Sequence, residues 1–138
     1  MKLYALLALI LSLSLQADDL TIVVENIHNS NGNIMIALHK ASKEFPNDNP
    51  AVVFKTLTKA KKGSLSHSIP NLRQGVYAIA LYHDENDNRR LDKNFLGLPN
   101  EGYGFSNNVK GFMGPPSFEE SEFLLDKSKQ INIKVSYQ

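Results

Sequence analysis

Apolar and polar residues alternate along most of the chain after residue 17. Leu20, Ile22 and Val24 lie on one side of an extended segment, and later runs keep the same period of two, which is typical of half-buried strands. Residues 76–82 are apolar on both sides, which predicts a central strand covered on both faces. The predicted core consists of Ile22, Val24, Ile36, Leu38, Phe54, Ile69, Tyr77, Ile79, Leu81, Ile133 and Val135.

Turn-forming residues separate these runs, as in the Asn-Gly pair at residues 31–32. The spacing indicates about seven strands and no amphipathic helix. The pattern predicts an all-β fold, an antiparallel sandwich of the transthyretin or immunoglobulin type. We assign residues 18–138 to this single domain.

Gly75 and Tyr77 stand at the entry to the predicted central strand. In immunoglobulin-like domains, a tyrosine at such a position bonds its hydroxyl back to the preceding corner of the chain. A tyrosine corner is therefore one interpretation of Tyr77. The other is an aromatic side chain that only packs in the core.

Residues 1–17 have the pattern of a secretory signal peptide. Lys2 precedes an apolar run from Leu3 to Leu15, and a small residue, Ala17, precedes two aspartates. The run is shorter than the roughly 20 residues that a membrane helix needs. An uncleaved anchor is the alternative. We expect a periplasmic or secreted protein that does not insert in the membrane after cleavage.

The composition of the chain limits the classes of molecule that it is expected to bind. Lys2 is the only charged residue of the signal, so its removal leaves 14 acidic side chains and equally many basic ones. Such a balance gives no electrostatic basis for binding nucleic acid. The chain has no cysteine, which excludes a thiol nucleophile and disulfide bracing. An envelope protein or a glycan remains a candidate partner.

Residues 83–120 break the alternation of the strands. Long irregular segments in compact domains are usually functional or disordered. Disordered segments are poor in aromatic residues, and this one is rich in them. We therefore predict a long ordered loop with its own small core. The aromatic residues are Phe95, Tyr103, Phe105, Phe112 and Phe118.

The first part of this loop has the oxygen-ligand spacing of a calcium site. Side-chain oxygens occur at relative positions 1, 3, 5 and 9, and position 7 of such a loop binds through its backbone carbonyl. The sequence therefore predicts a calcium cofactor here. The predicted ligands are Asp84, Asn86, Asn88, Arg90 through its carbonyl, and Asp92.

Two positions depart from the calcium pattern. Position 6 is normally glycine and is Arg89 here; position 12 is normally glutamate and is Phe95. Glu101 replaces that glutamate only if the loop folds back. The alternative is a loop in which the Asp and Asn side chains cap their own backbone as Asx turns.

Several motifs in the second half of the chain are long enough to be specific. The chain resembles the exported bacterial family known as domain of unknown function 2141, and the resemblance extends over essentially all of residues 18–138. It implies an exported β-sandwich and no particular activity. Arg89 stands where the family usually has glycine. The motifs are Gly-Val-Tyr-Ala at 75–78, His-Asp-Glu-Asn-Asp-Asn at 83–88, Leu-Asp at 91–92, the block at 97–108, and Gly-Pro-Pro-Ser-Phe at 114–118.

We expect a non-enzymatic envelope module whose aromatic loop binds a ligand. A small hydrolase is the alternative, because His83 and Asp84 are close in sequence to Ser106, although no standard hydrolase motif is present. A carbohydrate-binding domain is a further alternative, but the chain lacks Trp. The predicted ligand-binding residues are Glu101, Tyr103, Phe105, Asn107 and Phe112.

Overall fold

The computed structural model describes residues 16–138, and the part of the predicted signal at residues 1–15 lies outside them. Eight strands and two short helical turns make up this region. The turns are a 3-10 turn at Ser106–Asn108 and helix α1 at Phe118–Ser121. The strands are β1 Ala17–Ile27, β2 Asn33–His39, β3 Val52–Lys59, β4 Gly63–Arg73, β5 Gly75–Asp84, β6 Tyr103–Phe105, β7 Phe123–Leu125 and β8 Lys129–Lys134.

The strands form two sheets that pack as a sandwich, so the predicted all-β fold is confirmed. The first sheet has the order β4-β1-β8, and the second has the order β3-β2-β5-β6. The short strands β7 and β6 pair with successive parts of β5, at residues 75–77 and 80–82. The chain thus has eight strands rather than about seven, because three residues of the predicted loop, β6, pair with β5.

One strand pair departs from the predicted antiparallel arrangement. Strand β8 runs parallel to β1, with Leu20 opposite Lys129 and Glu25 opposite Lys134. No hairpin joins these two strands, because they lie far apart in the chain. Their relative direction is therefore set by packing between the sheets, which the alternation of residues does not encode.

The predicted core residues lie between the two sheets. Ten of them belong to the main buried cluster, and Phe54 packs against that cluster while partly exposed. Side chains of a strand alternate between its faces, and each apolar set therefore reaches the interior as one row. Burial of these rows is the main stabilising term of a fold without disulfide bonds.

The predicted loop at 83–120 has a small core of its own, as expected, but fewer aromatic residues enter it. Phe105 and Phe118 are buried with Phe45 and Ala78 in a second cluster, apart from the main core. Helix α1 positions Phe118, and its start is fixed by a capping box between Ser117 and Glu120. Phe95 and Phe112 are 95% and 91% exposed, because both lie at tips of the loop.

Tyr77 forms the corner contact proposed from the sequence. Its ring is buried, and its hydroxyl donates a hydrogen bond of 2.6 Å to the backbone carbonyl of Arg73. A Cβ built on Gly75 would lie 3.7 Å from this ring. The contact fixes the corner between β4 and β5, and with it the direction in which β5 enters the sandwich.

We expect Tyr77→Phe to lower the free energy of unfolding by about 1 kcal/mol, because it deletes one hydrogen bond and retains the packed ring. Urea unfolding of residues 18–138 measures the change. Tyr82→Phe is the matched control, since Tyr82 lies on the same strand and faces away from the main core. Equal midpoints for Tyr77→Phe and the wild type would show that the corner bond adds nothing to stability.

No helix among residues 16–138 has the length and apolar character needed to cross a membrane.

Candidate functional site

Asp84 organises the loop that follows β5. It is the last residue of the strand and is fully buried. Its two carboxylate oxygens accept hydrogen bonds from the backbone amides of Asn88, at 3.1 Å, and Arg89, at 2.8 Å. These amides belong to positions 5 and 6 of the predicted calcium loop. The carboxylate of position 1 therefore closes the loop into a tight turn.

Arg89 adopts the backbone conformation that glycine usually supplies. Its φ angle is +61°, in the left-handed region, where a residue with a Cβ is strained by about 1 kcal/mol. The calcium-loop pattern normally has glycine at this position, because the backbone turns there. The structure has the same turn although the residue is arginine. The loop is therefore formed against the preference of the residue at its sixth position.

Asn86, Asn88 and Asp92 converge at the opposite side of the loop. The Asn86 amide donates to Asp92 at 2.6 Å, and the Asn88 amide contacts both Asp92 oxygens at 2.7 and 2.9 Å. These hydrogen bonds lower the pKa of Asp92, and Asn88 contributes more to this than Asn86 does. The Arg90 backbone amide donates to Asn88 Oδ1 at 3.0 Å. Four of the predicted ligand residues thus lie in direct contact.

Glu101 folds back onto this loop. It is 7% exposed, and its two oxygens accept hydrogen bonds from the backbone amides of Glu85 and Asp92, each at 3.1 Å. Burial raises the pKa of Glu101, and the negative charges of Asp92 and Asp84 add to the rise. Glu101 was predicted as a residue of the ligand-binding surface, and the structure places it against the 84–92 loop.

The predicted ligands offer oxygen atoms, which a hard cation such as calcium prefers. They offer fewer converging negative charges than such a site usually has. Within residues 16–138, no three Asp, Glu or His side chains are arranged to chelate one ion by themselves. A calcium ion here would depend on the amide oxygens of Asn86 and Asn88, whose nitrogens now face Asp92. Each amide would have to turn its oxygen toward the ion. The same contacts make an Asx-capped loop, so calcium binding stays a prediction.

His83 and Ser106, the residues of the hydrolase alternative, serve two separate structural contacts. His83 is fully buried, with Nδ1 2.7 Å from the Tyr137 hydroxyl and Nε2 2.7 Å from the carbonyl of Asn31. Because a carbonyl only accepts, the assigned tautomer carries its proton on Nε2. The Ser106 hydroxyl accepts from the Ile79 amide at 2.9 Å and donates to the Ser121 carbonyl at 2.5 Å.

A cleft of about 640 Å³ opens on the outer face of the second sheet. The register places Ala37 of β2 beside Ala80 of β5, and Phe105 of β6 beyond them. Met35, Tyr82 and Tyr103 form the neighbouring row. Two adjacent alanines between larger side chains leave a hollow in the sheet surface, and the loops at 46–48, 89–99 and 111–115 build its walls.

Two of the predicted ligand-binding residues, Tyr103 and Phe105, line this cleft. Asn107 instead binds the backbone carbonyls of Glu120 and Glu122 at 3.2 and 2.9 Å. That contact ties the 3-10 turn to α1. Phe112 projects into solvent next to Met113, which is 94% exposed and lines the cleft. The aromatic segment is therefore divided between a cleft floor, a small core and an exposed tip.

His39 is the residue of the cleft that the sequence did not single out. It is fully buried at the end of β2, with its ring edge-on to Phe45 at 4.9 Å. Neither ring nitrogen has a hydrogen-bond partner among residues 16–138. Burial lowers the pKa of His39, which favours the neutral form of the ring. Its place at the end of an alternating strand was the only signal in the sequence.

The fold and the loop define an all-β sandwich with a long ordered insertion between β5 and β7. The chain belongs to the family described as an uncharacterized protein conserved in bacteria (DUF2141), whose family model matches residues 22–133. The match covers every strand from β2 to β7 and the whole 83–120 segment, and the resemblance inferred from the motifs is confirmed. Neither the curated proteins nor the solved structures contain a significant match.

Proposed function

We propose that this chain is an exported, non-catalytic β-sandwich module whose 84–92 loop binds calcium and thereby fixes one wall of a ligand cleft. One observation carries the proposal. The buried carboxylate of Asp84 closes the loop through the amides of positions 5 and 6, and Arg89 at position 6 is left-handed. A loop of this shape brings the side chains of Asn86, Asn88 and Asp92 together, and the two amides would turn their oxygens toward a bound ion.

The residues that would hold the ion lie in the loop or fold back onto it, and a bound ion would have to draw their oxygens together. Asp84, Asp92 and Glu101 supply carboxylates, and the pKa of Glu101 is raised partly by the other two. Such repulsion between like charges is what a bound divalent cation relieves. The remaining donors are the amide oxygens of Asn86 and Asn88 and the carbonyl of Arg90. Calcium would supply charge neutralisation and cross-linking of the loop.

The loop and the cleft share residues. Arg89, Arg90 and Leu91 belong to the loop and also line the cleft. A loop held in one conformation presents these side chains in one arrangement, which lowers the entropic cost of binding a ligand. The proposed calcium ion is therefore structural, and the cleft is the functional surface.

Export and the absence of catalysis are supported by the chain itself. The charged start and short apolar run at residues 1–17 resemble a secretory signal. The side chains that would form a hydrolytic centre, His83 and Ser106, are committed to separate structural hydrogen bonds. A non-catalytic binding role fits both observations.

Calcium is expected to stabilise residues 18–138 by about 1–2 kcal/mol at a few millimolar, given a dissociation constant of roughly 0.1–1 mM. Thermal unfolding with calcium and after chelation measures the shift. Asp84→Ala should abolish the shift. Arg89→Gly should enlarge it, because glycine adopts the left-handed φ without strain and the variant removes a positive charge. No response in either the wild type or Arg89→Gly would mean that the loop is only Asx-capped.

The pH dependence of the calcium-induced shift in thermal unfolding provides a further test of the proposal. Because the pKa of Glu101 is raised by burial and by Asp92 and Asp84, Glu101 takes up its proton before an ordinary glutamate as the pH falls. The calcium shift should therefore shrink as the pH falls to the raised pKa. Without calcium the sign reverses, since a raised folded-state pKa makes this group favour folding at low pH. In Glu101→Gln, this part of the pH dependence should vanish.

A further inference from the structure

The floor of the cleft on the second sheet is apolar and shaped by small residues. Ala37 and Ala80 are adjacent across the β2–β5 pairing, and Met35, Tyr82 and Tyr103 form the next row. A cavity of about 640 Å³ lies within the range that accommodates a small organic ligand. Such a floor contacts an apolar molecular body and offers few groups to a strongly hydrated ligand.

His39 gives the cleft a polar group without a partner. Its ring is fully buried and lines the cleft, and both nitrogens lack a hydrogen bond within the described residues. A buried polar group that stays unpaired costs roughly 1–3 kcal/mol, so nearly all such groups in folded proteins are paired. A neutral imidazole has one N–H donor and one acceptor. A ligand oxygen that reaches the ring N–H, once the side chains enclosing it move aside, would supply one of the two missing partners.

Positive charge is concentrated around the same cleft. Its lining includes four basic side chains, Lys55, Arg89, Arg90 and Lys93, and a single acidic one, Asp48. Asp48 is already paired with Lys55 at 2.9 Å. In residues 16–138, Arg89, Arg90 and Lys93 form no ion pair. A chain that is nearly neutral as a whole thus has more basic than acidic side chains at the rim of this cleft. Below the rim, burial first and then nearby carboxylates, Asp84 foremost, raise the pKa of Tyr82 on the floor.

We propose that the cleft binds an organic anion with an apolar body, with the body on the alanine and aromatic floor and the anionic group within reach of His39 and the basic rim. The inference names the ligand of the module proposed above and rests on that proposal for the cleft being its functional surface. Met113 and Leu98, which line the cleft and are 94% and 46% exposed, add apolar surface at its mouth.

The test compares ligands that share an apolar chain and differ in their head group, which is anionic, neutral or cationic. Decanoate, decanol and decyltrimethylammonium share one apolar chain, and each is titrated by calorimetry into residues 18–138 below its micellar concentration. We expect decanoate to bind at least about tenfold more tightly than decanol, which corresponds to one charge-assisted contact. The cationic analogue should not bind. Equal affinities for decanoate and decanol, or no binding of either, would overturn the proposal.

Variants locate the site. Ala80→Leu fills the hollow and should reduce decanoate binding more than tenfold, whereas Lys93→Gln should weaken decanoate several-fold and leave decanol unchanged. Lys62→Gln is the matched control, because Lys62 lies in the exposed β3–β4 turn and does not line the cleft. Decanoate binding that survives Ala80→Leu in a variant with wild-type thermal unfolding would place the ligand elsewhere and refute the assignment.

His39→Leu tests the buried ring directly. Leucine occupies a similar volume and has no polar atom, so it should lower the affinity for decanoate while leaving that for decanol unchanged. Unchanged affinity for both ligands would show that the imidazole does not contact the anion.

The titrations are repeated with calcium and with chelator. If decanoate binds but the protein does not respond to calcium, only the calcium proposal is refuted. If the protein responds to calcium but decanoate does not bind, only the proposal of an organic anion in the cleft is refuted.

Discussion

Gly32→Ala is expected to destabilise the domain by roughly 3 kcal/mol or more, through a backbone clash combined with strain. Gly32 has a φ of +62°, and a Cβ built on it would lie 1.9 Å from the carbonyl oxygen of Asp84. Backbone atoms cannot yield as the end of a flexible side chain can. The β1–β2 turn can therefore pass the start of the 84–92 loop only with glycine at this position.

Gly63→Ala is the matched control for this substitution. Gly63 also has a positive φ, of +97°, but no atom lies within 4 Å of the position of its Cβ. Its substitution should cost only the conformational strain, about 1 kcal/mol. Urea unfolding midpoints measure both variants. If the two cost the same, close approach of the turn to Asp84 contributes nothing to stability, and the turn does not pack tightly against the loop.

His83→Ala is expected to cost about 3 kcal/mol or more, because it combines a cavity with the loss of two buried hydrogen bonds. The imidazole is fully enclosed and joins the carbonyl of Asn31 to the hydroxyl of Tyr137. Its removal leaves both groups without this partner. These contacts hold the β1–β2 turn, the end of β5 and the chain after β8 together.

His28→Ala is the control, since His28 also contacts Tyr137 but from the exposed side. Its ring stacks on that of Tyr137 with centroids 3.7 Å apart. Loss of this exposed stacking should cost well under 1 kcal/mol. The free energy of unfolding from urea titration compares the two variants. A smaller loss for His83→Ala than for His28→Ala would contradict a structural role for the buried histidine.

The sandwich was predictable because its signal is local. Alternation at Leu20, Ile22 and Val24 decides which face of β1 is buried, and neighbouring residues suffice to read it. The corner bond of Tyr77 was predictable for the same reason, since its acceptor is Arg73, four residues away. Parallel pairing of β8 with β1 depends on residues at opposite ends of the chain, and no local pattern encodes it.

The same difference between local and distant contacts decides which parts of the candidate site were predictable. The spacing of Asp84, Asn86, Asn88 and Asp92 was enough to predict that they share one loop, and their contacts lie within six residues. The return of Glu101 was not predictable from spacing. It depends on a turn in which the Asn94 side chain accepts the amides of Leu96 and Leu98.

The cleft could not be predicted from the sequence alone. Ala37 and Ala80 form a hollow only because the register of β2 against β5 places them side by side. In the sequence each is a small residue within an apolar run and carries no sign of a binding surface. The sequence likewise gave no sign that His39 lacks hydrogen-bond partners, because that depends on what the fold does not place beside it.

The position of β1 in the middle of its sheet has a consequence for the time course of folding. Its two neighbours are β4 and β8, and the amide of Asp19 reaches the hydroxyl of Ser128, 109 residues further along the chain. The sheet cannot close until the last strand is available, whether the chain emerges from a ribosome or from a translocation channel. Dominance of such distant contacts predicts refolding in milliseconds to seconds. The three-stranded sheet therefore stays incomplete for as long as its final strand is missing.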